Sequence, residues 1–117
     1  MMSGEFRMPE AVDVLSAIGV LPETQEDSET RVIRIVDSSG GEISFSYDSM
    51  ERSVRVVWQR GREVIVDLFR EGATSVDIRS EAGITYFLVE FQDEGWYGTL
   101  KIQVFPILSL KDTLLRN

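Results

Sequence analysis

Two β-branched runs on either side of one glycine constrain the fold of this chain more than any other feature. The stretch reads SVRVVWQRGREVIVDLF, from Ser53 to Phe69. Side chains of a strand alternate between faces, so a slip of one residue exchanges the two faces. A turn centred on Gly61 gives one wholly apolar face and sets Arg55 opposite Asp67 on the other face. This register predicts the apolar pairs Trp58 with Val64, Val56 with Val66, and Val54 with Leu68.

Short strand-like segments follow one another from residue 30 to residue 106, which is typical of an antiparallel meander. Polar turns separate them, and three of the four-residue turns end in a glycine that can take positive φ. Seven such strands twist and curl. The registers that we predict pair Ile33 with Phe45, Ile35 with Ile43, Val76 with Phe87, Ile78 with Thr85, Phe91 with Trp96, and Phe87 with Leu100.

Helical patterns flank the strands. Residues 8–20 begin with Pro9 near the first helical position and end beside Gly19, which suits a helix terminus. The apolar side chains at helical spacing are Met8, Ala11, Val12, Leu15 and Ile18. Ser109 is a plausible cap for a short helix over 109–115. We expect a mostly β, α+β fold in which the N-terminal helix covers a curled seven-stranded antiparallel sheet.

The length of 117 residues is typical of one domain, covering 1–117. An acidic linker is expected at 22–29, because PETQEDSE has no apolar anchor. No apolar run approaches the roughly 18 residues of a membrane helix. The first nine residues lack the apolar core of a signal peptide. With the absence of cysteine, these features favour a cytoplasmic protein.

The absence of histidine and cysteine narrows the chemistry of this chain. Neither Ser-His nor Cys-His nucleophiles can be assembled, and the commonest metal ligands are missing. Three carboxylates lie in the middle of predicted strands: Asp67, Asp77 and Glu90. Two of them could form a carboxylate pair such as glycoside hydrolysis uses. However, Arg55 and Arg79 are placed to neutralise the two aspartates. We therefore predict no catalytic residues, no cofactor, no metal and no enzymatic activity.

The net charge of −8 is concentrated near the N-terminus. Residues 1–29 contain seven acidic residues and one basic residue, whereas the rest of the chain is nearly balanced. This sign argues against nucleic acid and against an anionic membrane surface as partners. A basic protein partner fits the charge, because complementarity accelerates and orients encounter. The alternative is that the charge serves solubility alone.

The outer sheet face combines aromatic and charged residues, which is typical of protein-binding surfaces. The alternative is that the C-terminal helix covers part of this face through Leu110, Leu114 and Leu115. A homodimer interface is a third explanation. The residues that we predict to bind a partner are Glu23, Glu26, Asp27, Glu29, Tyr86 and Tyr97.

The run EVIVDLFREGATSVDIRSEAGITYFLVEFQDEGWYGTLKIQVFPI, from Glu63 to Ile107, resembles small bacterial immunity proteins. The likeness is to those of polymorphic-toxin systems of the contact-dependent inhibition type, and it rests on short strands, Glu-Gly turns and the trailing Pro-Ile. It implies a non-catalytic protein that binds and neutralises a cognate toxin domain. Similarity to acidic secretion chaperones is one alternative. A small β protein that binds an apolar ligand is another.

Overall fold

The structure is a computed structural model that describes residues 6–25, 28–37 and 39–116. Within these ranges the chain forms one helix and nine strands. They are α1 (Ala11–Ile18), β1 (Glu23–Thr24), β2 (Thr30–Val36), β3 (Gly41–Asp48), β4 (Ser53–Arg60), β5 (Glu63–Glu71), β6 (Ala73–Glu81), β7 (Ile84–Asp93), β8 (Trp96–Phe105) and β9 (Ser109–Arg116).

The described strands form two antiparallel sheets with the orders β1-β2-β3-β4-β5 and β6-β7-β8-β9. The antiparallel, mostly β character is confirmed, whereas the single seven-stranded sheet is wrong. The division falls at Gly72, which has a φ of 86° that favours glycine. Directly after it, the backbone N–H of Ala73 donates to the carbonyl of Arg52 at 3.0 Å. The chain therefore leaves the first sheet and begins a second one.

Apolar side chains from both sheets form one core. The ring centroids of Phe45 on β3 and Phe87 on β7 lie 5.1 Å apart, so the inner faces of the two sheets meet there. Such face-to-face packing explains how two sheets can bury their apolar faces without a large helix. Val64 and Trp96 were expected in the core, but they are 55% and 39% exposed.

The strand registers keep the predicted faces. The pairing is as predicted for β2 with β3 and for β3 with β4, and it differs in the hairpins β4–β5, β6–β7 and β7–β8. Ile33 pairs with Phe45 and Ile35 with Ile43, as predicted. In the central hairpin the turn is only Gly61-Arg62, so Trp58 lies opposite Val66, and the ladder is irregular beyond Trp58. The second sheet shows the same two-residue shift. The observed pairs there are Val76 with Val89, Ile78 with Phe87, Phe91 with Gly98, and Phe87 with Ile102.

Helix α1 is shorter than predicted and packs differently. It ends at Gly19, which has the expected left-handed conformation. Val14 is its buried residue, whereas the predicted apolar stripe fails because Met8, Val12 and Leu15 are exposed. The reason is that Arg7 joins the edge of β6, accepting a backbone hydrogen bond from Val76. Backbone pairing at Arg7 thus ties the segment before the helix to β6, while Val14 enters the core and Ile18 packs against it.

The predicted C-terminal helix over 109–115 is wrong, because Ser109–Arg116 form strand β9 beside β8. Pro106 does end β8 as expected. Leu108, two residues later, is buried and anchors the chain where it turns back to form β9. Consequently the outer sheet face is not covered by a terminal helix.

Candidate functional site

The described residues contain no group of three or more acidic side chains that could hold a metal ion. In the same ranges no helix is long and apolar enough to cross a membrane. The charged and aromatic side chains at the surface form the candidate sites and decide what those sites can bind.

The acidic segment 22–29 is in part a strand. Glu23 belongs to β1, and its carboxylate pairs with the guanidinium of Arg34 on β2, both side chains being exposed. Glu29 is exposed just before β2. Glu26 and Asp27 lie outside the described residues. This segment thus offers carboxylates along one edge of the first sheet.

Tyr86 lies on the outer face of the second sheet, yet it is only 6% exposed. Its hydroxyl donates to the Glu81 carboxylate at 2.7 Å, and this hydrogen bond raises the pKa of the tyrosine. The Lys101 ammonium lies 4.3 Å from the ring centroid. The ring is therefore already covered, which makes it a poorer anchor than the sequence suggested.

Tyr97, on the same outer face, is half-buried. Its hydroxyl donates to the Glu90 carboxylate at 3.1 Å, which raises the pKa of the tyrosine. Ser75 also donates to this carboxylate, at 3.2 Å. The predicted tyrosines and the predicted acids lie on different sheets: Tyr86 and Tyr97 belong to β7 and β8, and Glu23 belongs to β1.

The outer face of the first sheet carries a bidentate ion pair between Arg55 and Asp67 at 3.0 and 2.8 Å. Asp67 is opposite Val57 rather than Arg55, so the pair is diagonal. The hydrogen bond from Arg55 lowers the pKa of Asp67. On the second sheet Arg79 lies 3.7 Å from Asp77. The mid-strand carboxylates therefore have structural partners, as expected.

An additional cleft of about 190 Å³ lies between the two sheets at one end. It was missed at the sequence level, because its residues come from β5, β7, β8 and β9. We call it the mouth cleft. It is lined by Arg70, Glu71, Gly72, Phe91, Gln92, Asp93, Trp96, Gly98 and Leu114. The sequence did contain one signal of this cleft. Trp96 occupies a position that strand alternation assigns to the core face, although it is the first residue of its strand.

Two antiparallel sheets in face-to-face contact, with a short helix at one edge, define a mostly β protein of the two-sheet class. No protein-family model and no curated protein sequence matches the chain. The fold is similar to one chain of the contact-dependent growth inhibition toxin–immunity protein complex from Klebsiella pneumoniae 342. The TM-score is 0.86 at 18% sequence identity, and the match covers 97% of this chain and 100% of the other. The resemblance drawn from residues 63–107 is thus confirmed, as a likeness of fold.

Proposed function

We propose that this chain is an immunity protein that binds and neutralises a cognate toxin domain. One observation carries the proposal: the fold likeness to a chain of a toxin–immunity complex spans 97% of this chain. A likeness over a fragment would not support a common role, because small sheets recur in many folds. Here the whole arrangement of both sheets is shared.

Binding rather than catalysis fits the side chains. The sequence has no histidine and no cysteine. The mid-strand carboxylates are engaged, Asp67 by Arg55 and Glu90 by Tyr97 and Ser75. A general acid or base needs a free group within hydrogen-bond reach of its substrate. Neutralisation by binding requires no such group, and we propose that the protein has no activity of its own.

We further propose a basic partner, since the acidic excess lies in residues 1–29. Glu29 and the Glu23 edge of β1 present carboxylates to solvent. A toxin that cuts nucleic acid must have a positive cleft, which carboxylates can occupy as substitutes for phosphates. Among the predicted aromatic anchors, Tyr97 is more accessible than Tyr86 and is the better candidate.

Coexpression with a toxin tests the proposal. Where the neighbouring reading frame encodes a large secreted protein, the probe is the C-terminal domain of that protein. We expect cells that produce this domain to stop growing, and coproduction of the chain to restore growth. The purified pair should form a stable complex in size-exclusion chromatography with light scattering. A chain that neither restores growth nor forms a complex would refute the immunity role. Binding only to an unfolded segment of a secreted effector would favour the chaperone alternative.

A further inference from the structure

Two apolar side chains of the inner sheet faces remain exposed at the mouth cleft. Trp96 and Leu114 are 39% and 55% exposed, although the neighbouring Phe91 is only 5% exposed. Gly98 pairs with both Phe91 and Leu114 across the ladders, so these residues belong to one layer. The apolar layer of the core therefore continues to the surface at this end.

Arg70, which lines the mouth cleft, is held in place by contacts with the second sheet. Its guanidinium lies 4.2 Å from the ring centroid of Phe91 and pairs with the carboxylate of Asp112 on β9. The Arg70 side chain is only 19% exposed, so this contact links the edges of the two sheets. A tryptophan, an arginine and a leucine around a preformed cleft combine large contact area with little loss of side-chain freedom.

The rim of the mouth cleft is acidic. Glu71 and Asp93 line it and are exposed, and Glu94 adjoins it in the turn before β8. Asp112 is satisfied by Arg70, which leaves three described carboxylates without a described ion-pair partner. A negative rim around an apolar floor selects a partner with a cation beside an apolar side chain.

We infer that the mouth cleft is the toxin-docking site, where an apolar toxin side chain packs against Trp96 and Leu114. A lysine or arginine of the toxin then meets Glu71 and Asp93. This inference rests on the proposed function. A second copy of this chain fits less well, because a two-fold contact would bring two acidic rims together.

Other exposed apolar residues lie away from the mouth cleft. Met8, Val12 and Leu15 lie at helical spacing, and Val64, Ile65 and Phe69 lie on β5, but none of them lines the cleft. Met50 is exposed in a turn. A single exposed apolar residue is normal on a protein surface, so Met50 serves as the control.

The test measures Kd and association rate with the same toxin domain by surface plasmon resonance. Trp96→Ala and Leu114→Ser should each weaken binding roughly tenfold or more, mainly through faster dissociation. Asp93→Lys should slow association. Met50→Ser and Glu51→Lys make the corresponding changes outside the cleft, and the Kd of each should stay within about twofold of that of the unmodified protein. Circular dichroism melts check that each variant is folded.

Fluorescence gives a second readout, because the chain has two tryptophans. In a Trp58→Phe background only Trp96 emits, and its emission should shift to shorter wavelength when the toxin binds. If Trp96→Ala does not fold, Leu114→Ser and this shift still decide the matter. Full affinity in the cleft variants, or an unchanged emission, would refute the docking site and leave the immunity role intact. Failure of the unmodified chain to bind would refute both.

Discussion

At the scale of single residues, Trp58 shows how burial and hydrogen bonding can oppose each other. It packs against the core, but its indole N–H is buried without a hydrogen-bond partner among the described residues. We expect Trp58→Ala to lower the free energy of unfolding by about 3 kcal/mol, through lost packing. Trp58→Phe should cost less than about 1 kcal/mol, because it removes an unsatisfied donor. Denaturant titration measures both, and equal losses would contradict the assignment.

Tyr47 provides a pH-dependent test of burial. Its side chain is almost fully buried, and burial raises the pKa of the hydroxyl to about 12. A folded-state pKa above the unfolded value near 10 gives stability that is complete below pH 10 and is lost as pH rises toward 12. The difference in unfolding free energy between the unmodified protein and Tyr47→Phe should therefore shrink over this interval. A difference that is constant from pH 8 to pH 12 would contradict the burial of the hydroxyl.

At the scale of elements, sequence alternation predicted the pairing of β2 with β3 and of β3 with β4, but it misplaced the neighbours in the other three predicted hairpins by two residues. A two-residue shift preserves faces, so apolar alternation cannot detect it. The turns decide the register, and they are tighter than predicted: Ala82-Gly83 and Gly61-Arg62 are two-residue turns. The number of sheets was predicted wrongly for a related reason. The break between the two sheets falls at a single glycine, Gly72, and the alternation of side chains does not reveal it.

The helix predicted over 109–115 failed because local pattern and tertiary pairing conflict there. Leu110 and Leu114 are four residues apart, which suits a helix face, but they equally share one face of a strand. The free edge of β8 resolves the ambiguity by pairing with the segment. The mouth cleft was unpredictable for the same reason, because it exists only once β9 has paired.

The β6–β7 turn gives a prediction at this scale. Ala82 and Gly83 have φ values of 53° and 81°, which a two-residue turn of type I′ requires at both positions. Gly83→Ala should lower the unfolding free energy by about 1 kcal/mol through left-handed strain, although no atom obstructs the new methyl group. Ala82→Asn should be neutral or stabilising, since asparagine tolerates this conformation. In thermal melts, the Tm of Gly83→Ala should fall and the Tm of Ala82→Asn should stay the same or rise. A loss in both would contradict the turn type.

At the scale of the whole molecule, the Arg70–Asp112 pair connects the edges of the two sheets. It is less exposed than the Arg55–Asp67 pair within the first sheet. Screening by water is weaker for partly buried charges, so the inter-sheet pair should have the larger coupling energy. Double-mutant cycles with Arg70→Met and Asp112→Asn, and with Arg55→Met and Asp67→Asn, measure the two values. We expect about 1 kcal/mol or more for the first cycle and less than about 1 kcal/mol for the second. The reverse order would contradict this account of how the sheets are joined.

The distribution of charge over the molecule should affect how fast a toxin domain associates with it rather than how slowly the complex dissociates. Charges outside the docking cleft act on the association rate and its salt dependence through long-range attraction, and β1 lies at the opposite edge of the first sheet from β5 and the mouth cleft. Changing Glu23, Glu26, Asp27 and Glu29 to their amides should slow association with the toxin domain at low salt and flatten its salt dependence. Glu23→Gln also leaves the guanidinium of Arg34 without its carboxylate partner.

A matched pair of double variants provides the control: Glu23→Gln/Glu29→Gln at the acidic edge, and Glu51→Gln/Glu63→Gln at two exposed acids outside residues 1–29. Both variants alter the net charge equally, so any difference between them reports position. The Debye length is about 10 Å at 0.1 M salt, which makes steering by the acidic edge local under these conditions. We therefore expect the two association rates to differ most at intermediate salt and to converge at high salt. Equal rates for both variants at every salt concentration would mean that the acidity serves solubility and not steering.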